Sequence, residues 1–166
     1  NKYIYTMNPD GTQLKSLFFE KGDDVPYPRW APDSNKIIFH CQQSNGQYDI
    51  CTINSDGSQL EQITNDIAVD KWPSFSPDGN KIAYVSNINQ YESLELFVMN
   101  RDGSNRQQIT NGMSLVMFPV WSPDSQKIVF TSTKNAGDLY SVNKDGTQLK
   151  RLTFTPDNDT YPSWTR

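Results

Sequence analysis

The side chains with chemical potential are few and scattered. His40 is the single histidine of the 166-residue chain. A Ser-His-Asp site needs a histidine held beside an exposed serine, but His40 falls in the apolar run Ile37-Ile38-Phe39-His40-Cys41, which reads as a structural strand. The chain has no Gly-x-Ser-x-Gly elbow, phosphate-binding loop or His-x-x-x-His pair. Two cysteines and one histidine do not complete a structural zinc site. The sequence therefore predicts neither enzyme activity, nor a metal centre, nor a cofactor.

Binding chemistry has more to work with. Asp23, Asp24, Asp66, Asp70, Asp157 and Asp159 fall in the segments between repeat units. They read either as an acidic collar for a cationic peptide or metal ion, or as solvated turn residues. Arg29 is a lone cation in a column otherwise filled by Ser74, Val120 and Ser163. It suits an anionic ligand, or a pair with a nearby Asp. Candidate binding residues are thus Arg29, Asp24, Asp70 and Asp159. Met113-Ser114-Leu115-Val116-Met117 is apolar and reads as a partner patch or as packing against a neighbour. Cys41 and Cys51 lie symmetrically about Gly46. Placed directly opposite on paired strands, they fit either a disulfide or two small buried hydrophobes.

The elements that must position these residues come from an internal repeat. Asn-x-Asp-Gly recurs with its aspartates at 10, 56, 102 and 145, spaced by 46, 46 and 43 residues. An aromatic-Pro pair recurs at Tyr27-Pro28, Trp72-Pro73, Phe118-Pro119 and Tyr161-Pro162, spaced by 45, 46 and 43. Two residues past each Pro stands another ring: Trp30, Phe75, Trp121 and Trp164. A Pro-Asp-Gly/Ser turn and a Lys-Ile run follow in the three complete units, and a Leu/Ile-Thr element closes each. Asp-Gly between apolar runs signals a hairpin, and Pro presets the first position of a turn. No window sustains a 3.6-residue period. Four short strands every 43 to 46 residues describe a propeller blade.

The run Trp72-Pro73-Ser74-Phe75-Ser76-Pro77-Asp78-Gly79-Asn80-Lys81-Ile82-Ala83-Tyr84 resembles the repeat of the TolB-type β-propeller family. Leu96 to Asn100, Asp102-Gly103 and Ile109-Thr110 complete that unit. The likeness recurs over nearly the whole chain and departs from WD repeats, having no Gly-His or Trp-Asp marks. It implies an all-β propeller of four-stranded antiparallel blades, about four repeats, with an incomplete ring among the outcomes. The segments expected are 1-20 as the two outer strands of a partial blade, full blades at 25-64, 70-110 and 117-153, and an innermost strand at 160-166. A homo-oligomer completing the ring, an excised part of a longer chain and a four-bladed ring are the alternatives.

The resemblance also implies a non-enzymatic scaffold for a protein or peptide partner, periplasmic or extracellular. The alternatives are an accessory propeller of a prolyl-oligopeptidase-type hydrolase and a structural subunit of a surface assembly. The formal charge of −4, without a basic cluster, argues against nucleic acid. No apolar run is long enough to span a membrane, and the chain opens on strand-like Tyr3-Ile4-Tyr5 with no leader.

Overall fold

The computed structural model describes residues 2–20, 24–89 and 92–165. Its strands are β1 (Lys2–Thr6), β2 (Lys15–Glu20), β3 (Arg29–Trp30), β4 (Lys36–Gln42), β5 (Tyr48–Asn54), β6 (Glu61–Gln62) and β7 (Asp70–Phe75). They continue as β8 (Lys81–Ser86), β9 (Glu95–Asn100), β10 (Gln107–Gln108), β11 (Val116–Trp121), β12 (Lys127–Ser132), β13 (Asp138–Asn143) and β14 (Lys150–Arg151). Three four-stranded antiparallel sheets, β3-β4-β5-β6, β7-β8-β9-β10 and β11-β12-β13-β14, each run in sequence order, and β1-β2 forms a fourth, two-stranded sheet. The four-stranded sheets are propeller blades.

The Asn-x-Asp-Gly signature works as local turn chemistry. In each copy the Gly amide donates to the Asn carbonyl, as Gly103 does to Asn100 at 2.9 Å. The Asp side chain accepts from the residue after Gly, as Asp102 does from the Ser104 amide at 3.0 Å. Glycine is required at Gly103 twice over. Its φ is +84°, and a Cβ there would meet the Ile63 carbonyl oxygen of the preceding blade at 2.8 Å.

Three apolar clusters correspond to three blade-to-blade seams. Ile4, Ile37, Phe39 and Ile53 join the two-stranded sheet to the first full blade. Ile38, Ile50, Phe75 and Met99 lie in the next seam. Leu96, Val116, Trp121 and Phe130 lie in the third. Both faces of the middle strands are covered, so Ile37 to Cys41 on β4 and Ile82 to Ser86 on β8 are buried without alternation. Stability of this kind is a chain of nearest-neighbour contacts.

Three sequence expectations need correction or detail. The residues at 161–165 form no strand. A strand needs a hydrogen-bonded neighbour, and no described strand pairs with them, although Trp164 Nε1 donates to the Val120 carbonyl at 3.2 Å as Trp121 Nε1 does to Ser74 at 3.1 Å. The cysteines are not directly opposed: Cys41 pairs with Asp49 and Phe39 with Cys51. They are diagonal neighbours on one face, with sulfurs at bonding distance and Cα atoms 5.9 Å apart. The stretch from Met113 to Met117 is not an exposed patch. Met113 and Val116 are buried in the third seam, and the Met113 amide donates to Glu95 Oε1 at 2.8 Å.

Candidate functional site

The site begins with an irregularity in the innermost strands. The β7–β8 register shifts between Lys71 and Ser74, and the β11–β12 register between Met117 and Val120. Each shift brackets an aromatic-Pro pair. Proline lacks the N–H a ladder requires, so the strand bulges there. The preceding ring takes a left-handed backbone: φ is +49° at Tyr27, +51° at Trp72, +55° at Phe118 and +56° at Tyr161. Bulky residues avoid this region and residues before proline avoid it further. Its recurrence in all four copies marks a conformation held by its surroundings.

The four rings come together. Centroid separations are 6.4 Å for Tyr27–Trp72, 5.0 Å for Trp72–Phe118, 4.3 Å for Phe118–Tyr161 and 5.4 Å for Tyr27–Phe118. Tyr161 thus reaches the same cluster from outside any strand. Hydrogen bonding to Tyr161, then burial, pushes the Tyr27 phenol up to about 12. Arg29 lines a small cavity beside these rings, with Pro73 and Pro119. It is exposed and has no ion pair among the described residues, so none of the described aspartates is the partner that the sequence offered as an alternative.

Behind Tyr27 lies a polar group that spans the seam between the first two full blades. Lys71 Nζ sits 2.7 Å from Asp24 Oδ2 and 4.1 Å from the centroid of the Tyr48 ring. Burial raises the Asp24 carboxyl, and the hydrogen bond and charge of Lys71 more than offset this, leaving it below its ordinary value. His40 is wholly buried, stacked on Tyr27 at 5.8 Å, with Nε2 3.7 Å from Asp24 Oδ2. Neither ring nitrogen makes a well-formed hydrogen bond. Burial, against the opposing charge of Asp24, pushes its pKa down to about 4, so the ring is neutral near pH 7.

Asp70 stands in the same seam, 1% exposed. Burial pushes it up to about 6, tempered by the nearby Ser86 and Thr64 hydroxyls, yet neither carboxyl oxygen has a well-formed hydrogen bond. An open acidic collar would need Asp70 in solvent, and here it is not. The other acids disperse as well. Asp66 pairs with Arg106 and caps the Ala68 amide at 2.8 Å. Asp159 accepts from Thr155 Oγ1 at 3.0 Å, and Asp157 is exposed. Asp23 lies outside the described residues. Of the predicted binding residues, then, Arg29 borders the aromatic cluster, Asp24 backs it, Asp70 is enclosed and Asp159 belongs to a loop. Among the described residues no three metal-ligating side chains converge.

Sequence reasoning missed a recurrent clamp. Thr64, Thr110 and Thr153 accept from the Ile50, Leu96 and Leu139 amides at 2.9, 2.9 and 3.0 Å. The same hydroxyls donate to Asp49, Glu95 and Asp138 at 3.1, 2.5 and 3.4 Å. These carboxylates are 2%, 1% and 0% exposed, so each short outer strand is tied down by a buried acid. The Leu/Ile-Thr element signalled this, together with an acid 15 residues earlier.

The TolB structure from Acinetobacter baumannii superposes with a TM-score of 0.79 at 24% identity, over 95% of this chain and 39% of that one. The fold is the TolB-type β-propeller. A second solved structure, a putative TolB from Agrobacterium tumefaciens, gives a TM-score of 0.80 at 21% identity over 91% of this chain and 56% of that one. In sequence, the chain is 29% identical over 90 residues to the Tol-Pal system protein TolB of Francisella tularensis subsp. mediasiatica, covering 54% of this chain. No family model matches. The chain spans 20 to 28% of the length of the curated relatives it matches.

Proposed function

We propose that this TolB-type propeller segment is a non-enzymatic scaffold that binds a protein or peptide outside the cytoplasm. The observation that carries this reading is the inner-strand cluster. Four aromatic-Pro pairs, two of them on bulged strands, bring large rings to one cluster, with a guanidinium that has no ion pair among the described residues at its rim and the Asp24–Lys71 pair behind it. Rings and Arg are the groups that anchor peptide and protein interfaces, and the strain that presents them is a cost which packing alone does not require. The neutral, enclosed His40 has no part in such a site beyond supporting Tyr27. A periplasmic or extracellular location suits a Cys41–Cys51 disulfide.

A peptide array probed with the purified labelled chain tests this. Binding to a subset of peptides is expected, with affinity falling at least about tenfold in Arg29→Gln and Tyr161→Ala while the melting temperature stays put. The reading is lost if no peptide is retained at high micromolar concentration, or if the variants bind as the parent does. Intact mass spectrometry with and without thiol alkylation tests the location argument, which predicts no free thiol in chain recovered from an oxidising compartment.

A further inference from the structure

A cleft of about 260 Å³ lies between the second and third full blades, lined by Val69, Asn87, Glu92, Ser93, Leu94 and Leu115. The repeat places Val69, Leu94 and Leu115 one unit after Asp24, Tyr48 and Val69. In the first seam, two of these equivalents hold a side chain of the protein itself. Lys71 Nζ lies 2.7 Å from Asp24 Oδ2 and 4.1 Å from the centroid of the Tyr48 ring. One unit later the position of Lys71 is Met117, which does not line the cleft. The backbone around the cleft is fixed. Leu94 and Leu115 form a parallel bridge, the Val116 amide donates to the Leu94 carbonyl at 2.8 Å, and Asn87 Oδ1 accepts from the Val69 amide at 2.8 Å.

Val69, Leu94 and Leu115 are half-buried and give the cleft apolar walls. The carboxylate and ring that hold Lys71 in the first seam are replaced here by Val69 and Leu94. Negative charge comes instead from Glu92, which is exposed and has no ion pair among the described residues. Apolar walls beside one carboxylate suit a cation carried on an alkyl stem, because the stem covers apolar surface while the charge stays at the wet end. We propose that this cleft is a subsite for a lysine side chain of a partner peptide. The stem lies against Val69, Leu94 and Leu115, and the ammonium meets Glu92. The partner thus supplies from outside the side chain that Lys71 supplies from within one seam earlier. This deepens the scaffold reading by naming a recognised group, and it rests on that reading only for the peptide that carries the lysine.

The test follows the assigned methyl resonances of Val69, Leu94 and Leu115 in the whole chain by NMR during titration with N-acetyl-lysine methylamide. These methyls are expected to shift together and to saturate. Three analogues separate the parts of the recognition. Acetylating the side-chain amine keeps the stem and removes the charge. A diaminobutyrate derivative keeps the ammonium and shortens the stem by two carbons. An arginine derivative replaces the compact ammonium with a flat fork. Each should bind more weakly than lysine, and Glu92→Gln should weaken lysine at least about threefold. Glu92 is exposed, so its variant keeps the fold, which the amide spectrum checks. Lysine binding that fades in all three analogues and in Glu92→Gln supports the subsite. No shift of these methyls with lysine, equal binding of any analogue, or indifference to Glu92→Gln overturns it. A chain that retains peptides on the array yet ignores the lysine derivative loses the subsite and keeps the scaffold. A chain that takes the lysine derivative but retains no peptide does the reverse.

Discussion

The seam between the first and second full blades and the seam between the second and third are built at equivalent positions with opposite chemistry. The first carries Asp24, His40, Asp70 and Lys71. One repeat later, the same four positions hold Val69, Val85, Val116 and Met117. Val85 and Val116 are fully buried. The backbones match, since both innermost strands bulge at an aromatic-Pro pair. Propeller geometry therefore does not demand polarity at these positions. Enclosing partly satisfied polar groups where aliphatic side chains fit costs stability, so the polar seam is where function best accounts for the sequence. It is also the seam that backs Tyr27.

Exchanging the two chemistries tests the comparison. The largest effect should come from Val116→Asp, which places a carboxyl in the apolar seam. A loss of about 4 kcal/mol at pH 7 is expected in urea unfolding. A loss under about 1 kcal/mol would mean that both seams tolerate charge and that their difference carries no information.

The pH dependence comes next, and its two contributions oppose each other. His40 has a folded pKa of about 4 against an ordinary 6.5. Its unfolded form takes up protons first as pH falls, so its contribution is intact above 6.5 and is lost between 6.5 and 4. Asp70 has a folded pKa of about 6 against 3.8. Its folded form takes up the proton first, so its penalty is present above 6 and is relieved as pH falls toward 4. Each amounts to about 3 kcal/mol at 1.36 kcal/mol per pKa unit. The two nearly cancel in the parent chain. Asp70→Asn should uncover the His40 limb, with stability dropping by about 3 kcal/mol between pH 6.5 and 4. A flat profile in that variant would show that His40 is not held neutral by burial.

At fixed pH 7, Asp70→Val installs the aliphatic residue type of the neighbouring repeats. A gain of about 2 to 3 kcal/mol is expected, read as a higher urea midpoint with unchanged slope. The smallest effect belongs to Lys71→Met, the residue type of the third blade at this position. The Lys71–Asp24 pair is partly exposed, with side-chain accessibilities of 18% and 30%. Its loss should cost under about 1 kcal/mol, and any larger change would show that Lys71 anchors Asp24 against His40.

The repeat was legible because its signals are local. Asp-Gly turns, proline positions and ring spacing act within a few residues, and the bonds they predict recur from copy to copy, as between Asn100 and Gly103. Strand register was less so. Cys41 and Cys51 are placed symmetrically about Gly46 in sequence, but the hairpin pairs His40 with Ile50. A register offset of this size is set by which β4 residues face the neighbouring blades, not by the turn alone. The acids between repeats looked alike in sequence, yet one is enclosed, one is bonded to Lys71 and one caps a loop. Their environments are made by residues from the next blade.

The sequence by itself determined the strand order within each blade, the turns and the bulge positions. Those depend on backbone limits imposed by Pro, Gly and Asp side chains on their immediate neighbours. Only the tertiary structure decided that His40 lies beside Asp24 and Lys71, that Asp70 is buried while Arg29 is exposed, and that the rings of Tyr27, Trp72, Phe118 and Tyr161 meet. Each of those outcomes depends on contacts between blades about 45 residues apart, where burial and charge pairing act across a seam that no local spacing describes.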